Sequence, residues 1–89
     1  MSPRVVSAQS QKGYKVTLTF SNNEQRIIDV SPYLTFGVFS KLKDTSIFEQ
    51  VRVAFGTIEW PGGVDLDPEF VWEKSIPLNQ QQTSLSAKP

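Results

Sequence analysis

An unbroken alternation of apolar and polar residues, Tyr14-Lys15-Val16-Thr17-Leu18-Thr19-Phe20, does most to limit what this chain can fold into. A period of two puts Tyr14, Val16, Leu18 and Phe20 on one face of a β-strand, with the lysine and threonines on the other. Such a strand needs partners along its edges and an apolar layer against its face. Ser21-Asn22-Asn23 follows at once, and Asn tolerates the left-handed conformation that a three-residue hairpin loop with a bulge requires at its last position. A return strand over residues 24–30 then sets Val16 opposite Ile28 and Tyr14 opposite Val30, extending the apolar face across both strands. A two-residue loop would set Val16 against Asp29, which the pattern opposes. Upstream, residues 4–9 supply another strand, antiparallel to the first, with its reversal around Gly13.

At Ser31-Pro32 the pattern changes, because Ser is a good N-cap and Pro suits the first helical position. A helical turn through Leu34, closed near Gly37, is expected. Residues 38–43 carry Phe39 and Leu42 three apart, and Asp44-Thr45-Ser46 caps another turn that brings Ile47 and Phe48 inward. Val51, Val53 and Phe55 alternate with Arg52 and Ala54, and Gly56-Thr57 supplies a tight turn into Ile58-Glu59-Trp60. That hairpin places Phe55 opposite Ile58 and Val53 opposite Trp60, giving it an aromatic inner face. Pro61-Gly62-Gly63 ends the strand. Asp67-Pro68-Glu69 then repeats the cap-and-proline signal and opens a helix over residues 68–74. The fold class is therefore α+β: an antiparallel sheet of about five strands in hairpins, with two to three short helices packed on it. Residues 1–75 form the single domain, and the Ser, Gln, Asn, Thr and Pro of residues 76–89 read as a flexible polar tail.

Composition excludes more functions than it suggests. The chain has 89 residues, enough for one core, and contains neither histidine nor cysteine. That removes disulfides, thiolate zinc sites and the commonest general base. Nine basic residues balance nine acidic ones, so no global field steers it toward nucleic acid or an anionic membrane. No stretch reaches membrane-spanning length and the start lacks a signal-peptide core, which points to a cytoplasmic protein.

Several of these segments together resemble one family. Tyr14-x-Val16-x-Leu18-x-Phe20, Asp29-Val30-Ser31-Pro32-Tyr33-Leu34, Val51-x-Val53 and the run from Gly56-Thr57-Ile58-Glu59-Trp60-Pro61-Gly62-Gly63 to Asp65-Leu66-Asp67-Pro68-Glu69 are similar to the small bacterial family called domain of unknown function 2442. The resemblance spans roughly residues 3–75 and is most specific after Gly56. It implies an α+β fold with an antiparallel sheet and short helices, and it implies no particular activity. Genes of this family commonly lie beside another small gene in arrangements that look like toxin and antitoxin pairs, and some members are fused to a helix-turn-helix domain.

Three functional readings follow. Glu59, Asp65, Asp67 and Glu69 form an acidic cluster of the kind that holds hard cations. The spacing matches no calcium loop, however; helix capping accounts for Asp67 and Glu69, and Asp65 is expected to bond the glycine backbone of its loop. A metal-dependent enzyme built on Asp65 and Asp67 is thus an alternative, and neither a metal nor a cofactor is expected. Lys15 and Arg52, extended by Arg4 and Lys12, would give a basic strip for nucleic-acid contacts; yet sheet-based readers stack bases on exposed aromatics, and here the strand aromatics face the core. The leading expectation is a noncatalytic protein-interaction module, antitoxin-like toward a neighbouring small protein, with Trp72, Phe70, Glu69 and Asp65 as its contact surface. Trp60 belongs to the core. Sheet edges also admit a homodimer.

Overall fold

A computed structural model describes residues 2–78. The α+β class holds, with the strands divided between two antiparallel sheets. The first has the order β1 (Val5–Gln11), β2 (Lys15–Phe20), β3 (Gln25–Asp29), β7 (Ile76–Pro77). The second runs β4 (Arg52–Ala54), β5 (Thr57–Trp60), β6 (Val64–Asp65). Between them lie 3₁₀ turns over Ser31–Tyr33 and Gly37–Lys43, helix α1 (Thr45–Phe48) and helix α2 (Pro68–Lys74).

The β2–β3 hairpin forms as its alternation demands, with Val16 opposite Ile28 and Asn23 left-handed at φ 69°. Its loop closes through Asn23 N–H to Phe20 O at 2.8 Å and Phe20 N–H to Glu24 O at 2.9 Å. Tyr14 departs from expectation. β1 runs on to Gln11, which pairs with Lys15, so the reversal takes Lys12, Gly13 and Tyr14, and Tyr14 sits in the turn at φ 62°. It still accepts from Val30 N–H, and its ring meets Phe48 edge-on at 5.3 Å.

At the first 3₁₀ turn the cap is not Ser31. Asp29 Oδ1 accepts from both the Ser31 amide (3.0 Å) and hydroxyl (2.7 Å), because the carboxylate two residues earlier is already aimed at them. Nor does Gly37 close that turn; it opens the next one, at φ 48°. Asp44 caps α1 through Ser46, and Asp67 caps α2 by accepting from Glu69 and Phe70 amides at 3.0 and 3.2 Å, with Pro68 in the first turn.

The second hairpin is in a different register from the expected one. Its turn is Phe55-Gly56, with φ 54° and 76°, and it pairs Val53 with Ile58 and Ala54 with Thr57. Positive φ at both central positions is the type I′ geometry, whose twist matches that of the flanking strands. Thr57 is drawn into the strand because its buried hydroxyl donates to Leu66 O at 2.7 Å. Phe55 is consequently at the tip and 89% exposed, so it contributes nothing to the inner face.

Val16, Ile28, Val30, Leu42, Ile58, Val64 and Val71 have no exposure at all and join both sheets and α2 into one core. Each such side chain contributes about 1.5–3 kcal/mol relative to an exposed position. Trp60 lies in this core, stacked on Phe48 at 5.7 Å, and its indole N–H donates to Phe48 O at 2.9 Å. Ile76 and Pro77, read from sequence as tail, pair with Ile27 and Arg26 in the first sheet; residues 79–89 of that tail lie outside the described residues.

Candidate functional site

A groove opens where the irregular segment after β3 faces the segment leading into α2. The 3₁₀ turns supply Tyr33 and Phe39, with Phe36 between them; β6 and its continuation supply Asp65, Leu66 and Asp67; α2 supplies Phe70. Its volume is about 270 Å³. Tyr33 and Phe70 meet edge to face at 5.2 Å and 70°, which makes a rigid wall. Phe36 is 62% exposed at the rim. A second concavity, lined by Phe55, Thr57, Glu59 and Pro68, shares Asp65, Leu66 and Asp67 with the first. The first is apolar in its floor, the second is of mixed polarity, and the two meet along the Asp65 to Asp67 ridge.

The carboxylates here do not converge. Glu59 lies directly opposite Asp65, a like-charge pairing that costs stability unless compensated. Arg52, opposite Glu59 on its other side, compensates it with a 2.6 Å ion pair. Asp65 is a strand residue, so it does not form the expected loop contact with glycine backbone, and it is left as the exposed charge of this cross-strand row. Asp67 is committed to capping α2, and Glu69 accepts from Ser2 Oγ at 2.6 Å. Among the described residues no group of three or more His, Cys, Asp or Glu is placed to hold a metal ion.

Of the four residues expected to make contacts, Phe70 and Asp65 line the groove and Glu69 stands exposed in the first turn of α2. Trp72 is occupied elsewhere. It is half-buried, edge-on to Phe20 at 5.1 Å, with the Arg26 guanidinium 4.1 Å above its ring. Lys15 and Arg52 lie in different sheets, and Arg52 is held by Glu59.

Sequence reasoning missed Phe36 and Phe55. Each stands immediately before a positive-φ glycine, Gly37 or Gly56, and a Phe-Gly pair at a chain reversal is the signal that could have marked them. It also missed Arg26, which sits in β3 and closes the far end of α2. Its guanidinium donates to Trp72 O (3.2 Å), Ser75 O (2.6 Å) and Ser75 Oγ (2.7 Å), and pairs with Glu24 at 2.7 Å. A cation on the last carbonyls of a helix satisfies otherwise unpaired acceptors and opposes the negative end of the dipole. Asp44, outside the groove, is held below its ordinary value, chiefly by the Ser46 hydroxyl and then by the Ser46 amide, with desolvation opposing them and the Ile47 amide adding least.

No helix among the described residues is long and apolar enough to cross a membrane. A family model described as "Protein of unknown function (DUF2442)" matches residues 5–77. No curated protein and no solved structure matches the chain significantly.

Proposed function

The chain belongs to the family of proteins of unknown function DUF2442, and from that premise we propose that it is a noncatalytic protein-interaction module, the antitoxin-like partner of a neighbouring small protein. The observation that carries this reading is the aromatic groove with Asp65 at its edge. Its occupant is a segment of the partner that inserts one aromatic or long aliphatic side chain between Phe36, Phe39 and Phe70 and sets a lysine or arginine beside it against Asp65. Apolar burial supplies affinity and the carboxylate supplies orientation and on-rate. The size of the groove supports a single anchor: about 270 Å³ falls short of the roughly 300–1,000 Å³ usual for small-molecule sites. The toxin-and-antitoxin arrangement of related genes suggests which partner to test, namely the product of the adjacent gene.

The test is co-expression of the full chain with that product, followed by co-purification and calorimetry. Binding is expected, with Phe36→Ser and Asp65→Lys each weakening it by at least about tenfold while the unfolding midpoint stays unchanged. Absence of binding to the adjacent product, or unchanged affinity in both variants, refutes the reading. Trp72→Ala is a poor probe, because it removes the ring that packs Phe20 and Arg26.

A further inference from the structure

Phe55 is in a conformation that its side chain opposes. It occupies the first central position of a type I′ turn at φ 54°, where Asn, Asp or Gly is favoured because a bulky residue is strained in the left-handed region. It also leaves an aromatic ring 89% exposed. Nothing among the described residues offsets either cost. A strained residue that the fold does not need is grounds for looking for a use outside the fold.

The surroundings of Phe55 indicate what it meets. The Arg4 guanidinium lies over Gly56, so close that a β-carbon there would fall 2.6–2.8 Å from its atoms. Arg52, with 71% of its side chain exposed, stands three residues before the tip. The hairpin thus presents an aromatic ring with cationic side chains beside it. The groove has the opposite character: an apolar floor with Asp65 and Asp67 along one edge and Glu69 nearby. Its volume, about 270 Å³, exceeds the roughly 150 Å³ that suffices for benzene in an engineered cavity, so by volume it has room for a phenyl ring. Phe55 does not line its own groove, yet both adjoin the ridge of Asp65, Leu66 and Asp67.

We infer that, when no partner segment occupies the groove, the chain forms a two-fold homodimer in which Phe55 of each copy fills the groove between Tyr33, Phe36 and Phe70 of the other, with Arg4 facing the partner copy's acidic edge; the adjacent-gene product would then displace Phe55 from the same site. Because the concavity beside Phe55 and the groove share the Asp65, Leu66 and Asp67 ridge, a two-fold axis beside that ridge would satisfy both at once and close the assembly. The Asp65 carboxylates that approach each other near the axis are offset by the Arg4 side chains brought in with the tips.

Sedimentation velocity and light scattering on the purified full chain test this without any second protein, so the result is separate from that of the adjacent-gene experiment. The wild type is expected to be a dimer that weakens with added salt. Phe55→Asn creates the favoured Asn-Gly turn, so it is expected to keep or raise the unfolding midpoint while raising the dimer Kd at least about 30-fold; Phe36→Ser does the same to the Kd from the socket side. A monomeric wild type, or a dimer that survives Phe55→Asn, overturns the proposal. So does a dimer lost in Phe55→Asn but unaffected by Phe36→Ser, since the knob would then be seated elsewhere.

Discussion

Replacing Arg26 with methionine removes the clamp on the C-terminal end of α2 while keeping an unbranched apolar stem in place. The Arg26 side chain is 12% exposed and donates to two backbone carbonyls and the Ser75 hydroxyl, besides lying 4.1 Å above the Trp72 ring. Trp72 O keeps the Ser75 hydroxyl at 3.1 Å, so the part-buried carbonyl left unpaired is Ser75 O, which costs about 1–3 kcal/mol, and the lost cation–π contact adds about 1 kcal/mol. Glu24 keeps 34% exposure and can turn to water, so it is not stranded as a buried charge. The contacts share one side chain and do not add in full, so the net loss is about 3 kcal/mol. Against a total of about 5–15 kcal/mol this is a large fraction. It corresponds to a fall in Tm of about 12–24 °C for a domain of this size. Urea denaturation followed by circular dichroism measures it, and the midpoint should fall at unchanged slope if the variant remains two-state. Arg26→Lys should lie between, because an ammonium keeps the charge but not the planar fork that spans both carbonyls. A loss below about 1 kcal/mol in Arg26→Met would refute the clamp.

Two further outcomes follow from the helix caps. Asp67→Ala removes the acceptor of two first-turn amides in α2 and should cost about 1 kcal/mol in urea denaturation, with Asp67→Asn nearly neutral. Asp44 is depressed in the folded state, so its contribution is complete above its unfolded value and disappears as pH falls through the folded one. Acid titration of stability below about pH 4 should therefore be shallower in Asp44→Asn than in the wild type, with the two curves parallel near neutrality.

Local chemistry made several elements legible in the chain. The Tyr14 to Phe20 alternation, Asn23 at the left-handed position, and the Asp44 and Asp67 caps all depend on residues within a few positions of one another. The second hairpin shows where such reasoning stops. Pairing Val53 with Ile58, as found, or with Trp60, as expected, leaves Ile58 and Trp60 on the same face, so the period of two cannot separate the registers. Gly56 suits a turn as either its first or second central residue, and the buried Thr57 hydroxyl bonded to Leu66 O settles it. Phe55 moved from the expected core to the surface by that choice alone.

Of the candidate site, Phe70 and Asp65 were visible from sequence as an apolar helix position and an acidic loop position. The groove itself was not, since it joins Tyr33, Phe36 and Phe39 to residues about thirty positions away. Trp72 was withdrawn from the surface by Arg26, 46 residues distant in the chain. By itself, then, the sequence determined the α+β class, the first hairpin's register and the capped helix ends, because periodicity and capping act over one or two turns of chain. Only the tertiary structure decided which aromatics are exposed and which carboxylates are compensated, because those outcomes depend on partners that packing brings together from distant segments.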